Sequence, residues 1–197
     1  MIRLYFSLLV ILFTLGCSNT PKIETQHYLL MPEKKANITS QKSYNEKQVI
    51  IVEPIKLATF LDQRGIILLT DKHHLEAAHY HRWAEPLDQN IHRFMLEVLS
   101  ANSNDFAFDN PSKFSYHISN LSLSIDITQF NGTAHGKALL SGSWKLIDTE
   151  KNELVLSDEF NYTGDIAKSG YSELVNQLAI MLDEISLQIL KAISSIN

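Results

Sequence analysis

Four of the chain's eight histidines crowd into one short stretch: His73, His74, His79 and His81. Imidazole nitrogens bind divalent transition metals, and alternate residues of a strand share a face, so His79 and His81 could grip one ion between them. The pattern stops short of a metal motif. No HExxH spacing is present, the single cysteine, Cys17, lies far away, and Asp71 and Glu76 read as ordinary hairpin residues. The expectation is solvated or packed histidines and no metal. His117 and His135 stand alone in strand-like stretches and read as structural.

Other chemistries find no better footing. There is no G-x-S-x-G elbow for a nucleophilic serine. The glycines from Gly132 to Gly142 lie between or within strands and not ahead of a helix, so they mark hairpins rather than a phosphate cradle. Glu85 and Asp88 could form an acid–base pair, but at the start of a helix the simpler reading is capping and complementing the dipole. Arg82 could hold an anion or pair with a neighbouring acid, Glu85 being near. Trp83 suits the core and a partner surface equally. Phe60, Tyr80, Trp83 and Phe94 could line a lipid-sized groove or simply pack. No catalytic residue and no cofactor are expected.

These residues are positioned by one handover from strand to helix. His79 to Trp83 is strand-like, Ala84-Glu85 turns, and Pro86 suits the first turn of a helix because its fixed φ is already helical. Leu87, Ile91, Phe94, Met95 and Val98 then recur at the helical period. Upstream, Gln48 to Pro54 is a β-branched run of the kind buried on both faces. Leu57 to Asp62 reads as a turn or a single helical turn, and Ile66 to Thr70 with Leu75 to Tyr80 forms a hairpin. Downstream, Asn102 to Pro111 reads as a loop, Ser115 to Phe130 alternates cleanly, Asn131-Gly132 signals a turn, and two further strands follow, Gly136 to Asp148 and Leu154 to Tyr162. Ser169 is a candidate cap for a last helix whose apolar stripe runs from Tyr171 to Ile193. The fold class is α+β: a mostly antiparallel sheet with two main helices, about 86–101 and 170–196, packed on one face.

The first residues read as an address. Arg3 precedes an apolar run, Leu4 to Leu15, which is short for a permanent membrane span, and Leu15-Gly16-Cys17-Ser18 follows. A lone cysteine cannot form an internal disulfide; directly after such a run it resembles the lipobox of bacterial lipoproteins, whose thiol is lipidated, with ordinary secretion and an uncleaved anchor as the alternatives. The expected organisation is a signal peptide at 1–16, a lipidated tether at 17–25, and one domain at 26–197. Loss of residues 1–16 would leave 16 basic against 22 acidic side chains, a net −6. That charge argues against nucleic-acid partners, since nothing offers phosphates a broad basic face. From Glu33 to Lys47 the chain is rich in Lys, Asn, Ser and Gln and reads as an exposed loop.

On these residues the chain resembles the PqiC/YmbA-type, or ABC-type transport auxiliary, lipoproteins. The resemblance spans nearly all of the expected mature chain. It rests on Leu15-Gly16-Cys17, Tyr28-Leu29-Leu30, Val49 to Pro54 with Phe60-Leu61-Asp62-Gln63, Gly142-x-Trp144 and the closing helix. Its most specific part is His81-Arg82-Trp83-Ala84-Glu85-Pro86-Leu87. Thr14 stands where the lipobox commonly has Leu, and Gln63-Arg64 replaces a commoner Asp-Arg pair. The resemblance implies an outer-membrane lipoprotein facing the periplasm, held by lipid on Cys17. It implies work with an MCE-domain, PqiB-like protein of the inner membrane in moving lipid between the two membranes, with members that assemble as homo-oligomeric rings. It implies no catalytic residues, and it gives Arg82, Trp83, Glu85 and Pro86 a role in holding the module together. Two alternatives stand beside it: a periplasmic carrier of lipid or another small molecule with a groove beneath the last helix, and a metal-dependent enzyme built on the His73–His81 hairpin.

Overall fold

The structure, a computed structural model, describes residues 24–32, 47–112 and 119–196. The readings made for Cys17, the apolar leader, His117 and most of the 33–47 loop fall outside these residues. In chain order the elements are β1 (Gln26–Tyr28), β2 (Gln48–Val52), β3 (Lys56–Leu57), a 3-10 turn (Thr59–Leu61), β4 (Gly65–Leu69) and β5 (Leu75–Trp83). Then come α1 (Leu87–Asn102), β6 (Phe106–Asp109), β7 (Leu121–Thr133), β8 (Lys137–Asp148), β9 (Glu153–Asp165) and α2 (Tyr171–Ser194).

One strand places the others. Along one edge, β7 runs antiparallel to β8 from Leu121 opposite Asp148 to Gly132 opposite Ala138. Along its other edge it takes three short parallel strands end to end: β2 at Leu121–Leu123, β3 at Asp126–Ile127 and β4 at Gly132–Thr133. Beyond β2 lies β6, beyond β4 lie β5 and then β1, and β8 is followed by β9. The long ladders, β7–β8 and β8–β9, are antiparallel, so the sheet is mostly antiparallel by paired length. The parallel joins were not legible in the sequence, and neither was β6, which lies inside the stretch read as a loop. Its Phe106 and Phe108 alternate into the core while it pairs with β2.

The Asn131-Gly132 turn is also corrected. Both residues lie within β7, and the chain reverses between Thr133 and Lys137, at Gly136 with φ +72°. Asn131 is buried and donates from Nδ2 to the Gly132 carbonyl. A Cβ on Gly132 would meet Leu68 and Leu174 side-chain carbons at 2.6 and 2.7 Å, so this glycine serves close packing rather than reversal. A bulge between Ile127 and Gln129 switches the alternation, so the inward residues run Leu123, Ile125, Ile127 and then Phe130.

Both helices bury the stripe read for them. In α1 it is Leu87, Ile91, Phe94, Met95, Val98 and Leu99, and in α2 it includes Leu174, Leu178, Leu182, Ile185, Ile189 and Ile193. The helices pack on each other; α2 lies over β7, β8 and β9, and α1 adjoins β6. Ser169 does not cap α2. The cap position is Gly170, whose φ of +127° suits a residue without a Cβ, and no side chain bonds the free N–H groups there.

Phe160 on β9 faces Gly142 on β8 and fills the space a side chain would occupy. A Cβ on Gly142 would come within 2.2 Å of the Asp126 carbonyl oxygen and 2.7 Å of the Phe160 ring. The oxygen belongs to the β7 backbone and cannot swing aside. Gly142→Ala is therefore expected to destabilise the fold by about 1–3 kcal/mol, read as a lower midpoint in urea unfolding at constant slope.

Candidate functional site: the β5–α1 junction

The motif residues gather where β5 ends and α1 begins, and they divide between the two faces of the sheet. By strand alternation His81 and Trp83 face the helices and Arg82 faces away. Trp83 is buried, 4% exposed, with its ring 6.0 Å from Phe130 on β7. It is a core residue, so the choice left open for it falls on the side of packing. Arg82 does not pair with Glu85: its Nε donates to the His79 carbonyl at 2.9 Å. Glu85 instead reaches forward to Arg93 on α1. Arg93 Nη1 donates to Oε2 at 2.9 Å, and Nη2 lies 2.5 Å from Oε1 as a close ionic contact. That hydrogen bond, above all, raises the pKa of Arg93 over its ordinary value. The cap position of α1 is Pro86, with no side-chain cap, so Glu85 ties the turn to the helix flank rather than capping its end. Asp88 does sit in the first turn, as read.

His81 belongs to an aromatic stack that ties β1 to α2. Its ring lies parallel to that of Tyr171, with centroids 4.0 Å apart, and its Nδ1 is 2.8 Å from Tyr28 Oη. Tyr28 Oη also donates to Gln26 Oε1 at 2.6 Å. With its one proton so used, Tyr28 accepts from His81, which fixes the imidazole with hydrogen on Nδ1. Burial raises the Tyr171 phenol above its usual value, with Glu76 and Tyr28 adding to the shift. The other histidines of the stretch go elsewhere. His74 Nδ1 is 2.7 Å from Asp71 Oδ2, the His79 ring meets Tyr80 edge-on, and both are exposed. The His73 N–H, bonding Asp71, leads in holding that carboxyl below its ordinary range. Among the described residues no group of three or more histidines, cysteines or acids gathers to hold a metal.

Two side chains that sequence reasoning missed complete the junction. Asn90, 1% exposed on α1, accepts from the Leu30 N–H at 2.8 Å and donates to the Leu30 carbonyl at 3.3 Å, pairing with that backbone as a strand would. His92 donates from Nε2 to the Val52 carbonyl at 2.9 Å. A buried amide inside an apolar stripe was the available signal for Asn90; His92 gave none. Beside the His81–Tyr171 stack, a depression of about 410 Å³ opens at the start of α2, lined by Leu68, Thr133, Ala134, Ile166, Tyr171 and Leu174 among others. Its lining is mainly apolar, and no pair of ionisable groups converges in it.

Two measurements check this geometry. Asn90→Leu removes both bonds to Leu30 and leaves that buried N–H unpaired; the expected cost is about 1–3 kcal/mol, with faster amide exchange at Leu30 than in the parent. For Tyr171 the sign follows from its raised pKa. The native state keeps the phenol proton longer than the unfolded chain, so the stabilisation is whole below about pH 10 and falls as pH rises through the folded value. Spectrophotometric titration should show one late-ionising phenol fewer in Tyr171→Phe, and unfolding of that variant should depend less on alkaline pH.

The fold matches known proteins. The family model of the ABC-type transport auxiliary lipoprotein component covers residues 28–190. Intermembrane transport lipoprotein PqiC of Escherichia coli (strain K12) is 27% identical over 168 residues, 85% of each chain, and the PqiC of Shigella flexneri matches equally. Among solved structures, protein XCC0632 from Xanthomonas campestris superposes with TM-score 0.67 at 16% identity, over 84% of this chain and 93% of that one. An uncharacterized protein gives TM-score 0.72 at 23% identity, over 86% and 99%. These two likenesses show the fold. The family match runs from the last residue of β1 through β5, α1 and the rest of the sheet into the last turns of α2, and on it the chain belongs to the ABC-type transport auxiliary lipoprotein components.

Proposed function

We propose that the chain is the lipid-anchored, outer-membrane docking component of an MCE-type intermembrane lipid transport system, facing the periplasm and without catalytic activity of its own. The observation that carries the reading is the family match over 28–190, joined to a relative named as an intermembrane transport lipoprotein. Cys17 directly after the apolar run supplies the anchor: several acyl chains on one residue hold a protein to a bilayer where one chain would be marginal. No helix among the described residues is long and apolar enough to cross a membrane. The motif side chains Arg82, Trp83, Glu85 and Pro86 then serve the module's integrity, and contacts with an MCE-domain protein and with further copies in a ring belong to its outer surfaces.

The anchor is tested by labelling cells with radioactive palmitate. The wild-type chain should take up label and fractionate with the outer membrane, and Cys17→Ala should do neither; a labelled, membrane-bound Cys17→Ala chain would contradict the anchor. Crosslinking in intact envelopes followed by pull-down tests the partnership. Recovery of an MCE-domain protein is expected, and its consistent absence overturns the docking reading.

A further inference from the structure

Three strands end the sheet, and they are not alike. β1 has three residues and β6 has four, while β9 has thirteen, Glu153 to Asp165, and among the described residues pairs only with β8. Sheets commonly blunt their edges by keeping the last strand short or by placing Lys or Pro on it. β9 has neither protection: no Lys, Arg, His or Pro occurs from Glu153 to Asp165. A bulge interrupts its pairing with β8 near Leu154–Leu156, and from Ser157 to Asp165 the register is regular.

Hydrogen bonds tell which way this backbone points. Just past β9, the Ile166 N–H donates to the Gly136 carbonyl at 2.9 Å, in line with the β8–β9 register. In an antiparallel pair bonded residues alternate with unbonded ones, so the even-numbered residues of this stretch bond β8 and the odd-numbered ones aim N–H and C=O away from the sheet. Glu159 agrees: its N–H donates to Asp158 Oδ1 at 2.9 Å and not to β8. Asn161 and Thr163 follow at the same parity. Such a row of alternating donors and acceptors is matched along its length by another extended backbone.

Charge selects which backbone. Glu153, Asp158, Glu159 and Asp165 line β9 with carboxylates, of which Asp165 pairs with Lys137 of β8 at 2.7 Å. Glu184 of α2 adds another on the helix side, near enough with Asp158 to raise the Tyr162 phenol after the larger effect of burial. A second copy of β9 would set acids beside acids and bring no cation on its own strand. We propose that the Ser157–Asp165 edge receives an extended segment of another protein, bearing Lys or Arg, as an added strand. This deepens the docking reading above, on which it rests, by naming the surface and the chemistry of what it receives.

The probe is a synthetic peptide of about nine residues alternating Lys with Val or Thr, the length of one strand. One control carries Glu in place of Lys; the other keeps the lysines but is N-methylated at alternate residues, so that one edge of its backbone cannot donate. Binding to the full chain is followed by fluorescence anisotropy at physiological salt. The lysine peptide should bind and neither control should. Bound peptide should slow amide exchange at Asn161 and Thr163 and leave their even-numbered neighbours as they were. Thr163→Pro removes an outward N–H and no bond to β8; with its fold checked by circular dichroism, it should bind at least about tenfold more weakly. Should that variant fail to fold, the N-methylated peptide and the exchange pattern decide on the parent chain. No binding by the lysine peptide, equal binding by the N-methylated one, undiminished binding by the folded proline variant, or unchanged exchange at Asn161 and Thr163 overturns the proposal. A photocrosslinker at position 163 in cells gives a second reading: an adduct with a basic extended segment of another protein supports it, and any other adduct, a second copy included, or none overturns it. If the envelope pull-down recovers an MCE-domain protein while these results fail, the edge is wrong and the docking reading stands. If the pull-down fails while these results hold, the docking reading falls and β9 still takes a strand.

Discussion

The structure depends on β7 serving two edges at once. One edge is committed along its length to β8, and the other is divided among β2, β3 and β4. Each of those three short strands gains only two or three paired residues from β7, too little to hold it alone. Two of them are also fixed from the far side, β2 by β6 and by Ser119, whose hydroxyl donates to the Val49 carbonyl, and β4 by β5; β3 pairs with β7 alone. The alternating apolar residues of β7 then meet the helix stripes, so the ladder and the core reinforce each other.

The junction is an extension of that logic. β5 reaches the core through Trp83 against Phe130, a residue of β7, and hands directly to α1 through Pro86. The N-terminal strand is an edge strand of three residues, which pairing alone would leave loose. It is held by groups from both helices: Asn90 of α1 on the Leu30 backbone, and Tyr171 of α2 through the His81 stack to Tyr28. On the proposed reading that strand follows the tether to the lipid, so load from the membrane would enter the domain where both helices grip it. The motif that looks most chemical in the sequence is thus occupied in packing and bracing the junction.

Much of this was legible beforehand. The helices announced themselves by period, and Gln48 to Val52 by its unbroken apolar run, since both signals are local. The parallel joins were not legible, because parallel neighbours are distant in sequence and no turn chemistry marks them. Asn131-Gly132 misled for a related reason: the pair has the residues of a tight turn, yet packing under Leu68 and Leu174 needs the same small glycine. Glu85 was placed correctly at the mouth of α1 and given the wrong partner. Sequence proximity favoured the helix end and Arg82, while the helix brings Arg93, two turns on, to the same side.

The central physical claim is that one strand unites the domain, so that the β1–β5–α1 junction and the β8–β9 meander open together or not at all. Native-state hydrogen exchange across a urea series tests it most directly. The amides of Leu123 to Ile127 are expected to be among the slowest and to exchange through the same global opening as their β8 partners and the β5 residues near Trp83. Exchange of the β8–β9 meander by a separate, lower-energy opening, with β5 and α1 still protected, would contradict it.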